Sequence, residues 1–158
     1  MAWSTPPTFV SGTPLPAADL NTLSGDLAVL GGAWAAFTPT WTASTTNPTL
    51  GNGTLVGRYM QAGKLVFFTI DLTIGSGTLL GSGQYLFTLP ATAVRGAELA
   101  ISATLTMKQG TNRNSGGAIL VNTGTVRLMQ ATGAVTPSSP FVWASGDVIS
   151  LAGQYEAV

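Results

Sequence analysis

The chain has 158 residues, six Lys plus Arg against six Asp plus Glu, no net charge, and neither Cys nor His. This excludes disulfides, thiolate chemistry and the usual Cys/His metal sites, and it leaves no basic surface to attract nucleic acid or an anionic membrane. Only 8% of the residues are charged, against about a quarter in an ordinary soluble domain, so much of the surface is expected to face other protein.

The length suits one domain with an appendage. A 45% apolar content with twenty Gly and nine Pro fits short strands joined by tight turns, and a mainly β chain is expected. No apolar run approaches the ~20 residues of a membrane span. The start MAWSTPPTF lacks the cationic flank and apolar core of a signal peptide, so export by the general secretory route is not expected.

Residues 1–15 hold Pro6, Pro7 and Pro14 with two isolated aromatics, Trp3 and Phe9. Proline excludes helix and central strand here, which predicts an extended arm whose aromatics seek a pocket on a partner. Residues 16–34 follow as a short helical segment, with the helix itself expected from Pro16 to about Leu30. Pro16 suits a first turn, Asp19 complements the positive end of the helix dipole, and Gly31-Gly32 provides the stop. Leu20, Leu23, Leu27, Leu30 and Trp34 recur at intervals of three, four, three and four, the a/d seam of a coiled coil. A helix this short is marginal in water below about 15 residues. It must bury its leucines on its own domain or on copies of itself around a symmetry axis.

From Phe37 the period changes to two. Residues 38–42 read as a first or edge strand, and residues 44–53 as a turn-rich connection. In residues 54–74, Val66, Phe68, Ile70, Leu72 and Ile74 share one face. A hairpin through Ala62-Gly63 would pair Tyr59 with Val66, although Ala suits a primed turn poorly and a bulged turn at Gly63 is the other register. The opposite face carries Leu65 and Phe67 and is expected to be covered by another sheet or subunit. Tyr85, Phe87 and Leu89 form the next strand, and Leu99, Ile101, Ala103, Leu105 and Met107 a half-buried one. Residues 109–117 read as a polar loop, followed by a hairpin about Asn122-Thr123-Gly124, a long loop over 132–146, and a last strand with Ile149, Leu151 and Tyr155. Seven or eight such strands make an antiparallel β-sandwich over residues 35–158, with the jelly roll as its natural form.

Acid/base chemistry would have to come from Asp19, Asp26, Asp71, Glu98, Asp147 or Glu156, with Lys64 and Lys108 beside them, and none is paired in sequence. No enzyme activity, metal site or cofactor is expected. Asp147, in a Ser-Gly-Asp turn, reads as a capping residue. Surface recognition remains. Asn112, Arg113 and Asn114 in one loop and Phe141 and Trp143 in another are the residue types that bond to sugar hydroxyls and stack on sugar rings. The competing reading has Phe141 and Trp143 plugging an end of the sandwich.

The segment Thr5-Pro-Pro-Thr-Phe-Val-Ser-Gly-Thr-Pro-Leu followed by Ala17-Ala-Asp-Leu-Asn-Thr-Leu resembles the attachment segment of minor tail proteins from phages of actinobacteria. Phe37-Thr-Pro-Thr-Trp-Thr, Leu50-Gly-Asn-Gly-Thr-Leu-Val-Gly-Arg-Tyr, the Gly63-Lys-Leu-Val strand, Phe87-Thr-Leu-Pro and Gly146-Asp-Val-Ile-Ser-Leu-Ala-Gly-Gln-Tyr-Glu resemble the receptor-binding jelly-roll modules of such proteins. The resemblance implies a non-enzymatic virion protein, assembled in the host cytoplasm. It implies a homotrimer with the helix as its stalk and names no particular ligand; the leading expectation built on it is an arm that grips other virion proteins through Trp3 and Phe9 and heads that adsorb to host-surface glycan. The chain is short for a tail fibre, which keeps open a capsid decoration or head-fibre role. A small carbohydrate-binding or carbohydrate-active module is the reading from another class.

Overall fold

In a computed structural model, the residues described are 8, 10–12, 14–30, 32–96 and 98–158. Helix α1 spans Ala17–Leu30. The Pro16 carbonyl accepts the amides of Asp19 (3.1 Å) and Leu20 (3.4 Å), which closes the first turn, and Asp19 lies at the positive end of the helix dipole.

Ten strands follow among the described residues: β1 (Ala35–Phe37), β2 (Trp41–Ala43), β3 (Thr54–Ala62), β4 (Leu65–Thr73), β5 (Tyr85–Thr88), β6 (Ser102–Gln109), β7 (Asn112–Asn122), β8 (Thr125–Gln130), β9 (Gly133–Ala134) and β10 (Val148–Glu156). All pair antiparallel in the order β1-β3-β4-β10-β6-β7-β8-β5-β2, with β9 beside β8. The last strand of the chain thus lies at the centre of the sheet, between β4 and β6.

The strand expected over residues 38–42 is divided. β1 pairs with β3 and β2 with β5, and Thr38-Pro39-Thr40 carries the chain between them. Pro39 is buried and has no N–H for a ladder, so pairing stops there. Thr40 instead donates its amide to Thr88 Oγ1 (2.8 Å) and accepts from the Thr88 amide (3.2 Å). From Phe37 to Trp41 the chain can reach at most about 14 Å. The two outer strands of the path therefore lie near one another and the sheet is curled, with a strand switching sides at a corner as in a sandwich. The mainly antiparallel β class is as expected and is consistent with a β-sandwich. The strand order does not display jelly-roll connectivity.

One core fills the curl. Val66, Phe68, Ile70, Leu72 and Ile74 point into it, as do Tyr85, Phe87 and Leu89, Leu105 and Met107, and Ile149, Leu151 and Tyr155. These are the residues that alternation placed on buried faces. Edge-to-face rings reinforce it, Trp41 on Tyr85 at 5.0 Å and Phe68 on Tyr155 at 5.8 Å between centroids.

Two local expectations are corrected. The β3–β4 turn is Gly63-Lys64, not Ala62-Gly63, and Tyr59 faces Phe68 rather than Val66. Gly63 has φ +60°, the left-handed value that the first central position of a type II′ turn requires, and Ala62 is freed to pair with Leu65. The shift is two residues, so every side chain keeps its face. Residues 109–117 are not a loop. Gly110-Thr111 is the turn, Gly110 has φ +55°, and β7 runs from Asn112 between β6 and β8. Its Asn, Ser and Gly residues are weak strand formers, but backbone pairing on both sides overrides propensity.

Candidate assembly and recognition surfaces

Trp34, expected to close the a/d seam, lies beyond α1, which stops at Leu30; the leucines of α1 itself lie largely open on the single chain. Leu20 is 49% exposed, Leu27 65% and Trp34 41%, while Leu23 is half-buried. The side chain of Leu30, and the arm residues Trp3 and Phe9, lie outside the described residues. The helix meets the head at β3, leaving a groove of about 370 Å³ between Gly25 and Ala28 on one side and Tyr59, Met60 and Gln61 on the other.

Behind the helix, the outer face of the sheet forms rows across four strands. Met60, Phe67, Gln154 and Ser102 make one row, and Arg58, Thr69, Ala152 and Thr104 the next. A shallow groove of about 390 Å³ crosses these rows, and Trp34 is part of its wall. The Arg58 guanidinium carbon stands 6.0 Å from the Trp34 ring centroid, a cation–π arrangement that places the charge against the indole.

The two segments expected to touch glycan come together at one end of the sheet. Asn112 and Arg113 are exposed and Asn114 half-buried. Arg113 folds back, donating to the carbonyls of Gly110 (3.2 Å) and Asn112 (3.3 Å). Asn112 pairs with Gln109, whose side-chain amide donates to the Val142 carbonyl at 2.6 Å. Phe141 and Trp143 flank that carbonyl, their rings 4.6 Å apart. The structure corrects the expectation for Trp143. It is 4% exposed and its indole N–H donates to the Thr136 carbonyl (2.9 Å), so it belongs to the core and offers no free ring. Phe141 is half-buried and packs against that core.

Three of the carboxylates have structural partners. Asp147 is buried and accepts the Ala144 amide through Oδ2 (2.7 Å), the capping role its turn suggested. Asp71 accepts from the Ser150 hydroxyl, and Glu98 pairs with Arg127 at 2.7 Å. Arg127 also donates to Gln84 Oε1 (3.2 Å). Asp19 and Asp26 lie on α1, and Glu156 on β10. Among the described residues no three of His, Cys, Asp and Glu are grouped as a metal ion would need.

Sequence reasoning missed the Arg127–Glu98 pair and the Tyr155 hydroxyl, which accepts the Ala91 amide (3.0 Å) and donates to the Ala91 carbonyl (2.8 Å). Burial pushes the Tyr155 phenol up to about 12; its bond to Ala91 acts the other way, and Tyr59 adds to the rise. Burial also pushes Tyr85 well above the usual tyrosine value. Partners separated by 64 positions leave no local signal.

The chain is similar to a phage tail fibre protein. It is 27% identical over 113 residues, 70% of its length, to the Mu-like prophage FluMu defective tail fiber protein of Haemophilus influenzae. It spans 18% of that protein's length. No protein-family model matches the chain, and no solved structure does. The tail-fibre likeness is distant. It carries neither the actinobacterial host nor the jelly-roll module that the sequence resembled.

Proposed function

We propose that the chain is a non-enzymatic structural part of a phage tail fibre, a homotrimer held together along α1 with its β heads turned toward the host surface. The observation that carries this reading is the open seam. A 14-residue helix is marginal alone, and burying one leucine side chain is worth about 1.5–3 kcal/mol. Leu20 and Leu27, with 49% and 65% of their surface open, leave much of that stabilisation unclaimed. Copies packed through Leu20, Leu23, Leu27, Leu30 and Trp34 would claim it. Leucine at every seam position of α1 specifies oligomer order poorly, so the three-fold order rests on the sequence resemblance.

In this reading the arm, with Trp3 and Phe9, grips other virion proteins, and the end of the head carrying Asn112, Arg113, Asn114 and Phe141 touches host-surface glycan. The similarity to a tail fibre protein favours the tail over the capsid shell. Light scattering on the wild type and Leu27→Asp tests the assembly: a trimer is expected for the first and dissociation or precipitation for the second. A wild-type monomer would remove the stalk. Gold-labelled antibody on intact particles tests the location, and label confined to capsid faces would remove the tail.

A further inference from the structure

We propose that the outer face of β4, β10 and β6 is where a neighbouring copy of this chain packs its head, so that the assembly is closed by the sheet as well as by α1. The inference rests on the reading that copies assemble along the helix, and it goes further by naming a second contact. Phe67, Thr69, Ala152, Gln154, Ser102 and Thr104 form the centre of this face, a patch with no ionisable side chain. The nearest charges in the rows are already engaged, Arg58 with the Trp34 ring and Asp71 with the Ser150 hydroxyl. Glu156, beside Leu65, stands at the opposite margin, so charges lie only around the rim and covering the centre of the face desolvates none of them. Around it stand large apolar side chains that the single chain leaves open, Val56 at 53%, Trp34 at 41% and Leu65 at 40%. Small residues keep its middle flat enough for another backbone to approach.

Three features select a second copy as the occupant. The first is continuity. Trp34 stands four residues beyond the end of α1 and walls the groove on this face, so the seam and the groove are neighbours along the chain and a copy lying along the seam is brought to the groove. The second is size. Fourteen residues rise about 21 Å and make two heptads, whereas a self-sufficient coiled coil sustains its pattern over about three to four. A stable interface covers about 800 Å² on each partner, and the head is where the rest of that area is found. The third is charge. A three-fold contact is heterologous, joining this face to a different patch of the next copy. A neutral face needs a neutral partner, and a chain with 8% charged residues supplies one from its own surface.

The test is the mass of the full chain by light scattering over a range of concentrations, for the wild type, Thr104→Arg, Gln154→Lys and Leu27→Asp. Thr104 and Gln154 are exposed on the single chain, so the fold is expected to survive, and circular dichroism checks it. Both face variants are expected to need at least about tenfold more protein to assemble than the wild type, with unchanged spectra. If Leu27→Asp dissociates while both face variants keep the wild-type mass at every concentration, the stalk stands and this contact is overturned. That pattern is also what a face reserved for a host ligand would give. A wild-type monomer overturns both. Should one face variant unfold, the other decides.

Discussion

The side-chain amide of Gln109 donates to the backbone carbonyl of Val142 at 2.6 Å, tying the β6–β7 turn to the loop that carries Phe141 and Trp143. One exposed hydrogen bond is worth about 1 kcal/mol. Gln109→Ala is expected to cost about that much in urea unfolding, and to raise acrylamide quenching in the native state as the cover over Trp143 loosens. Unchanged quenching would mean that the loop is held by its core contacts alone.

Adjacent glycines on β7 should differ in their tolerance of a side chain. A Cβ on Gly116 would run into the Met129 carbonyl, whereas one on Gly117 meets only the Ala103 carbonyl oxygen, at 3.4 Å. The first carbonyl belongs to the backbone of the paired strand and cannot swing aside. Gly116→Ala is expected to destabilise by about 1–3 kcal/mol and Gly117→Ala by much less, measured as the difference in urea midpoint at unchanged slope.

The buried tyrosines predict a loss of stability in alkali. Tyr155 ionises in the fold at about 12, and in the unfolded chain near 10. The neutral form is favoured by folding, so its contribution is complete below about pH 10 and is lost as pH rises toward 12. Tyr85 shifts in the same direction and adds to the effect. The unfolding midpoint is expected to hold from about pH 7 to 9 and to drop between about 10 and 12. Tyr155→Phe should lower stability at neutral pH by losing both Ala91 bonds, and should make the alkaline drop shallower. A profile as steep as that of the wild type would contradict the assignment.

Asp147 separates capping from chemistry. Asp147→Asn keeps an acceptor for the Ala144 amide, while Asp147→Ala leaves that amide without it. The alanine variant is expected to lose about 1–3 kcal/mol and the asparagine variant clearly less. Equal losses would mean that the negative charge, rather than the hydrogen bond, matters at this turn.

Much of the interior was legible because alternation is local. Val66 through Ile74 and Leu105 with Met107 declare their faces within a few residues, and a two-residue slip in the β3–β4 hairpin leaves those faces unchanged. The helix was legible from Pro16, Asp19 and the leucine spacing. Asn112, Arg113 and Asn114 were misread as loop because weak strand formers carry no period of their own. Trp143 was read both as a sugar platform and as a plug of the sandwich end, because a loop aromatic gives no sign of what lies beneath it.

By itself the sequence determined the class of this protein: strands of period two, a short helix with a leucine seam, too little charge for a free surface, and turns where Gly and Pro stand. Side-chain chemistry and spacing suffice for that, since each acts over one or two turns of chain. Tertiary structure alone decided that β10 lies between β4 and β6, that Pro39 divides a strand between the two outer positions of the sheet, and that Gln109 meets Val142. Any strand offers the same backbone donors and acceptors to any other, so pairing is chosen by how the whole curl closes over one core.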